Sequence, residues 1–120
     1  MRGVTGELLD ARFDLKPDQA TELEISLRGV PIRFDVKKGE LACRDSRAPV
    51  PLVDGRLKLQ VLVDRTSIEI FAADGLVFMP LAGGPAVVEK TLRLTARGGT
   101  AQIESAVIHE VGSAWRNGDR

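Results

Sequence analysis

Two carboxylates, Asp64 and Glu69, stand five positions apart in the stretch Leu62-Val-Asp-Arg-Thr-Ser-Ile-Glu-Ile-Phe-Ala-Ala-Asp-Gly75. A glycosidase works with two carboxylates roughly 5 to 9.5 Å apart in a concave site, and a chain turning at 65–67 could bring these that close. The same residue types also build a corner. An aspartate bonds to backbone N–H groups two or three residues on, and Thr66 and Ser67 can do likewise. Arg65 could then pair with Glu69. Nothing else in the chain requires a site here, so the turn is the simpler reading.

The remaining reactive residue types are sparse. His109 is the one histidine and Cys43 the one cysteine, far apart in sequence. A zinc cage needs four ligands, so a histidine-based one is excluded. A Cys–His nucleophile would need an orienting third group and an oxyanion hole, and no residue marks either. Cys43 reads as a small buried apolar side chain, and His109 as a surface or satisfied histidine at a strand end. Gly83-Gly-Pro85 lacks the Lys and helix start of a phosphate loop. No cofactor or metal is expected. An aromatic sugar platform would have to come from Phe71, Phe78 and Trp115, because Phe13 and Phe34 fall in phase with buried positions and the chain has no Tyr.

These residues sit among strands. Leu9, Ala11, Phe13 and Leu15 alternate with Asp10, Arg12 and Asp14. Leu23/Ile25/Leu27, Ile32/Phe34/Val36, Leu57/Leu59/Val61/Val63, Leu92/Leu94/Ala96 and Ala101/Ile103/Ser105/Val107 repeat the pattern, which is that of half-buried antiparallel strands. Glycine-containing turns at 29, 39, 55, 75, 83–84 and 98–99 punctuate them at strand-length intervals. Lys38-Gly39 and Gly98-Gly99 read as tight hairpin turns. Residues 17–23 could form a turn or two of helix, and 86–97 fits a helix or a strand equally well. The fold class that follows is all-β, a two-sheet antiparallel sandwich or a barrel.

The 120 residues make one domain with an adequate core, and 43% of them are hydrophobic. Seventeen basic residues cancel seventeen acidic ones, so a nucleic-acid partner is not expected. The apolar run at 76–81 is too short to span a bilayer, and no membrane partner is expected. The first residues lack the apolar core of a secretory signal. A lone cysteine leaves the compartment open. Residues 1–5 read as linker or appended sequence, 6–115 as the domain and 116–120 as a polar tail.

The stretch from Leu59 to Gly75 resembles the signature strand pair of the C-terminal domain of glycoside hydrolase family 32, the family of invertases, levanases and inulinases. Its pattern there is a Leu/Val-rich strand, Asp-Arg-Ser-Ser-aliphatic-Glu-aliphatic-Phe, then a polar turn ending in Gly. Asp64, Arg65, Ser67, Glu69, Phe71 and Gly75 match it, with Thr66 a conservative departure. The hairpin at 32–44 and a last strand closing on Ser113-Ala-Trp115 are weaker matches. The resemblance implies a concanavalin A-like sandwich, in agreement with the periodicity. It also implies that the chemistry lies elsewhere, in an N-terminal five-bladed propeller whose Trp-Met-Asn-Asp-Pro-Asn-Gly, Arg-Asp-Pro and Glu-Cys motifs are missing here. No catalytic residue carries over. The expected role is a non-catalytic accessory domain that braces such a propeller, with homo-oligomer contacts as a further expectation. The alternative is an independent lectin-like carbohydrate-binding module. A self-contained hydrolase using Asp64 and Glu69 is a weaker third.

One anomaly bears on the partner. Leu62 falls on the polar side of its strand, Phe71 shares a face with Glu69, and 76–81 is apolar on both faces. Strands apolar on both sides are covered on both sides. Leu62, Phe71, Val77 and Met79 are therefore expected to form an interdomain or oligomer face. A β-bulge that shifts the phase is the competing explanation.

Overall fold

The alternation becomes strand wherever it occurs. The computed structural model describes residues 8–85 and 91–110. Among these, ten strands follow in order: β1 (Leu9–Lys16), β2 (Glu22–Leu27), β3 (Val30–Asp35), β4 (Glu40–Cys43), β5 (Ser46–Pro49), β6 (Leu57–Val63), β7 (Ser67–Ala72), β8 (Val77–Ala82), β9 (Leu92–Arg97) and β10 (Gln102–Glu110). They form two antiparallel five-stranded sheets. Sheet A has the order β10-β1-β6-β7-β8 and sheet B the order β5-β4-β3-β2-β9.

Each sheet turns one apolar face inward, and the two faces close on a shared core. β1 contributes Leu9, Ala11, Phe13 and Leu15, β6 contributes Leu57, Leu59, Val61 and Val63, and Ile68 and Ile70 follow from β7. Leu23, Ile25, Leu27, Ile32, Phe34, Leu41 and Cys43 answer from sheet B. Charged partners occupy the outer faces. On sheet B, Arg97 Nη1 reaches Glu22 at 2.8 Å and Glu24 at 3.0 Å, and Arg33 Nε reaches Glu24 at 3.4 Å. Exposed pairs of this kind contribute at most about 1 kcal/mol each. The last strand differs, being exposed along its whole length.

Two expectations about connections are corrected, and a third left open between helix and strand resolves to strand. Gly98-Gly99 makes no hairpin, because β9 pairs with β2 in sheet B while β10 pairs with β1 in sheet A. This glycine pair carries the chain across the sandwich. A Cβ on Gly99 would overlap the Gln19 carbonyl, so the crossing needs the smallest residue. Residues 17–23 are not helical. Ala20 N donates to Pro17 O in a turn and Asp18 is left-handed (φ 51), so the chain enters β2 at Glu22. Of 86–97, residues 92–97 are strand, and 86–90 fall outside the described residues.

At the β5/β8 side, one arginine ties the sheets together. Arg44 sits in the tight β4–β5 turn with φ 55. Its Nη1 donates to Ala82 O and Gly83 O at 3.0 Å each, and its Nη2 donates to Gly84 O at 2.6 Å. A rigid fork suits three neighbouring carbonyls better than an ammonium does. Arg44→Ala should lower unfolding stability by about 1–2 kcal/mol, the reach of charge-assisted bonds at an exposed site. Arg44→Lys should recover less than half of that loss in denaturant titrations.

Candidate functional site

The carboxylate at position 64 is consumed by its own turn. β6 ends at Val63 and β7 opens at Ser67, with Val63 opposite Ile68. Between them Asp64 Oδ1 accepts from Thr66 N at 2.8 Å, Ser67 N at 2.9 Å, Ser67 Oγ at 3.2 Å and Thr66 Oγ1 at 3.3 Å. Asp64 N donates to Ser67 O at 3.0 Å and closes the corner. The Thr66 N–H is the main cause that holds the Asp64 carboxyl below its ordinary pKa. The Ser67 N–H and the two hydroxyls add to it, against a smaller opposing effect of burial. A carboxylate stabilised in this way is a poor proton donor and a weakened nucleophile.

Glu69 lies on the outer face of sheet A, opposite Leu62 on β6 and Pro80 on β8. The expected ion pair with Arg65 does not form among the described residues, and Arg65 is exposed. Arg65 acts through its backbone instead. A Cβ built on Gly84 would fall on the Arg65 carbonyl and crowd Thr66 N. The 64–67 corner thus rests directly on the segment whose carbonyls Arg44 holds.

The anomalous apolar residues separate into two groups. The pairings β6–β7 and β7–β8 run without a register shift, so no bulge displaces the phase there. The shift in sheet A falls instead between Asp14 and Leu15, where β1 meets β10. Leu62 and Phe71 do lie outward, both half-buried. Val77 and Met79, expected beside them, turn inward. Met79 is 4% exposed in the core, and Val77 packs against it. Strand period two then sends Phe78 and Pro80 outward, and Phe78 is 51% exposed. Phe78 stacks on Phe71 with ring centroids 4.9 Å apart. The hairpin between them turns through left-handed Ala73, Asp74 and Gly75 (φ 54, 56 and 92).

The other candidates stand apart from this face. Cys43 is buried, and burial pushes its thiol pKa up, which leaves it unreactive. His109 is exposed on β10 opposite Asp10. The Asp10 carboxyl is held low chiefly by Arg12, with Gln60 and His109 contributing less. Trp115 lies outside the described residues. Among the described residues no group of three or more His, Cys, Asp or Glu could hold a metal ion. Sequence reasoning missed Arg44 and Gly84, whose partners are backbone groups distant in sequence.

Asp64→Ala should cost about 1–2 kcal/mol, since it orphans turn donors, and Asp64→Asn should cost less. The folded-state pKa is lowered, so the stabilisation is full above the ordinary Asp value near 4 and fades as pH falls through the lower folded value. The wild type should therefore lose its advantage over Asp64→Asn in acid melts. Gly84→Ala should destabilise more than Gly75→Ala, even though Gly75 has φ +92, because open space surrounds Gly75 and a carbonyl blocks Gly84.

Comparison with known proteins bears on the family and the fold. The family model "Glycosyl hydrolases family 32 C terminal" matches residues 2–110. A levanase of Bacillus subtilis (strain 168) is 35% identical over 68 residues, which cover 57% of this chain and 10% of the levanase. The chain thus spans about a tenth of that relative. An exo-inulinase structure from Aspergillus awamori superposes with TM-score 0.74 at 23% identity, over 94% of this chain and 26% of that one. The Caenorhabditis elegans galectin LEC-6 superposes with TM-score 0.65 at 17% identity, over 90% of this chain and 88% of the galectin. At these identities the structural matches show the sandwich fold.

Proposed function

The chain belongs to the C-terminal domain family of glycoside hydrolase family 32, and from that premise we propose that it is the non-catalytic β-sandwich of a fructan-acting enzyme. Its work is to brace a catalytic propeller encoded in the same parent chain. The observation that carries this reading is the fate of the carboxylates. Asp64 is committed to four donors within its own turn, and Glu69 stands across from Leu62 and Pro80 with no second carboxylate opposite it. The levanase and inulinase likenesses support a fructan as the parent's substrate.

The outer face of sheet A is the docking surface in this reading. Leu62 and Phe71, joined by Phe78 and Pro80, form an apolar strip that the domain's own core does not use. Such a strip on a sheet already packed on its other side fits a large partner, and without one it favours self-association.

The chain alone should release no reducing sugar from sucrose or levan. Mixed with its catalytic propeller, it should form a one-to-one complex and raise that domain's Tm. Leu62→Lys combined with Phe78→Ser should weaken the complex by about tenfold or more without lowering the sandwich's own Tm. Hydrolysis by the chain alone that vanishes in Asp64→Ala or Glu69→Ala would overturn the proposal.

A further inference from the structure

Beside the apolar strip, the outer face of sheet A carries a polar pocket. The registers set out its outer face in rows. Arg12, Gln60, Phe71 and Phe78 lie across one row, and Ser105, Asp14 and Lys58 across the next. The left-handed 73–76 turn projects Asp74 over one side, and β10 borders the other. Between them lies a pocket of about 360 Å³ lined by Arg12, Asp14, Lys58, Gln60, Phe71 and Asp74, among others. That volume is within the roughly 300–1,000 Å³ of small-ligand sites.

The polar groups in this pocket retain bonding capacity. Gln60 Nε2 donates to Asp10 at 3.1 Å, which leaves its carbonyl oxygen to accept. Arg12 spends Nε and Nη2 on Asp10 and keeps Nη1. Asp14 meets Arg56 at 3.3 Å through Oδ2 and its Oδ1 is buried, so it gives the pocket wall charge, and the open acceptors are Gln60 and Asp74. Lys58 and Asp74 form no ion pair with another described residue. Donors and acceptors are therefore both on offer. The two cations, Arg12 and Lys58, balance the two anions, Asp14 and Asp74, so the pocket favours neither a polyanion nor a cationic peptide. Phe71 adds an apolar wall whose orientation is fixed by stacking on Phe78. A neutral ligand that is rich in hydroxyls and has apolar C–H faces meets all of these demands.

We infer that this pocket is a subsite for a neutral oligosaccharide chain. It takes a fructan if the parent enzyme acts on one, and the sugar's identity, though not the site, rests on that reading. Phe71 stands at the boundary, with its Phe78 side in the docking strip and its other side in the pocket. A bound chain would lie along the seam with the propeller and hold polymer close to the catalytic domain.

Isothermal titration of the full chain with levan and inulin oligosaccharides, and with xylan and laminarin oligosaccharides as controls, tests the assignment. Fructan binding should appear, weaken by about tenfold or more in Gln60→Ala and in Asp74→Ala, and persist in Leu62→Lys. Gln60→Ala changes an outward-facing residue and should leave the melt unchanged, whereas Asp74 is left-handed (φ 56), so Asp74→Ala should lower Tm slightly while keeping a cooperative melt that confirms it folds. No heat with any fructan, or heat that both variants retain, would overturn the site. Binding of a control glycan alone would overturn its assignment to fructan. Complex formation with the propeller, measured in the same variants, separates these failures from failure of the accessory role. Gln60→Ala and Asp74→Ala should leave that complex intact.

Discussion

With no helix among the described residues, each sheet has one apolar face and nothing but the other sheet to bury it against. This constraint organises the molecule. A one-residue slip in any central strand would move its whole apolar set into water, so register is strongly specified. The pairing of β1 with β6 accordingly runs without a break from Leu57 to Val63, and that of β6 with β7 from Leu59 to Val63. Once the core is closed in this way, any apolar residue left on an outer face has no structural duty. Leu62, Phe71 and Phe78 are conspicuous for that reason, whereas an exposed leucine such as Leu76 at a turn is ordinary.

The signature segment divides its labour by position. Its first half is a corner. Asp64 gathers the donors of Thr66 and Ser67, and the Arg65 carbonyl seats Gly84 too closely for any side chain. Arg44 then reaches across from sheet B and holds the carbonyls on either side of that contact. The charge at position 64 thus acts on the exit of β8 and, through it, on the join between the sheets. Its second half faces outward, where Phe71 and the Asp74-Gly75 turn shape the surface. A motif with polar residues need not mark chemistry, and here one run of residues sets both a corner and a face.

The sequence made the sandwich legible because period-two alternation and the two-sheet core are the same fact seen twice. β1, β2, β3, β6, β9 and the outward turn of Leu62 follow directly from it. The β3–β4 pair follows from the Lys38-Gly39 hairpin turn, whereas the four-residue β5 carries too few alternations to register and its placement depends on pairing with β4. In 76–81 both faces are apolar, so pattern cannot choose the phase, and the expectation for Val77 and Met79 falls on the wrong side. Pairing with β7 decides it, by placing Phe78 opposite Phe71. The Gly98-Gly99 crossover reads like a hairpin locally, because a glycine turn does not reveal which sheet its far strand joins. Arg44 was illegible for a related reason: its acceptors are backbone carbonyls, and side-chain identity at 82–84 carries no trace of them.

The two uses assigned to sheet A are compatible because the registers separate them. Leu62, Glu69 and Pro80 share a row nearer the 64–67 corner, while Lys58 and Asp14 share a row nearer the 73–76 turn. Adjacent residues on one face of a strand lie about 7 Å apart, so two rows leave room for a protein contact and a sugar chain side by side. Phe71, in the row between, is the residue both would touch. Its stack with Phe78 holds the ring in place whether or not a partner is present. Ordering a loose aromatic ring on binding costs affinity, and a ring already ordered by its neighbour avoids that cost. Phe78 therefore acts on the pocket without lining it, and the same stack couples the docking strip to the polar pocket.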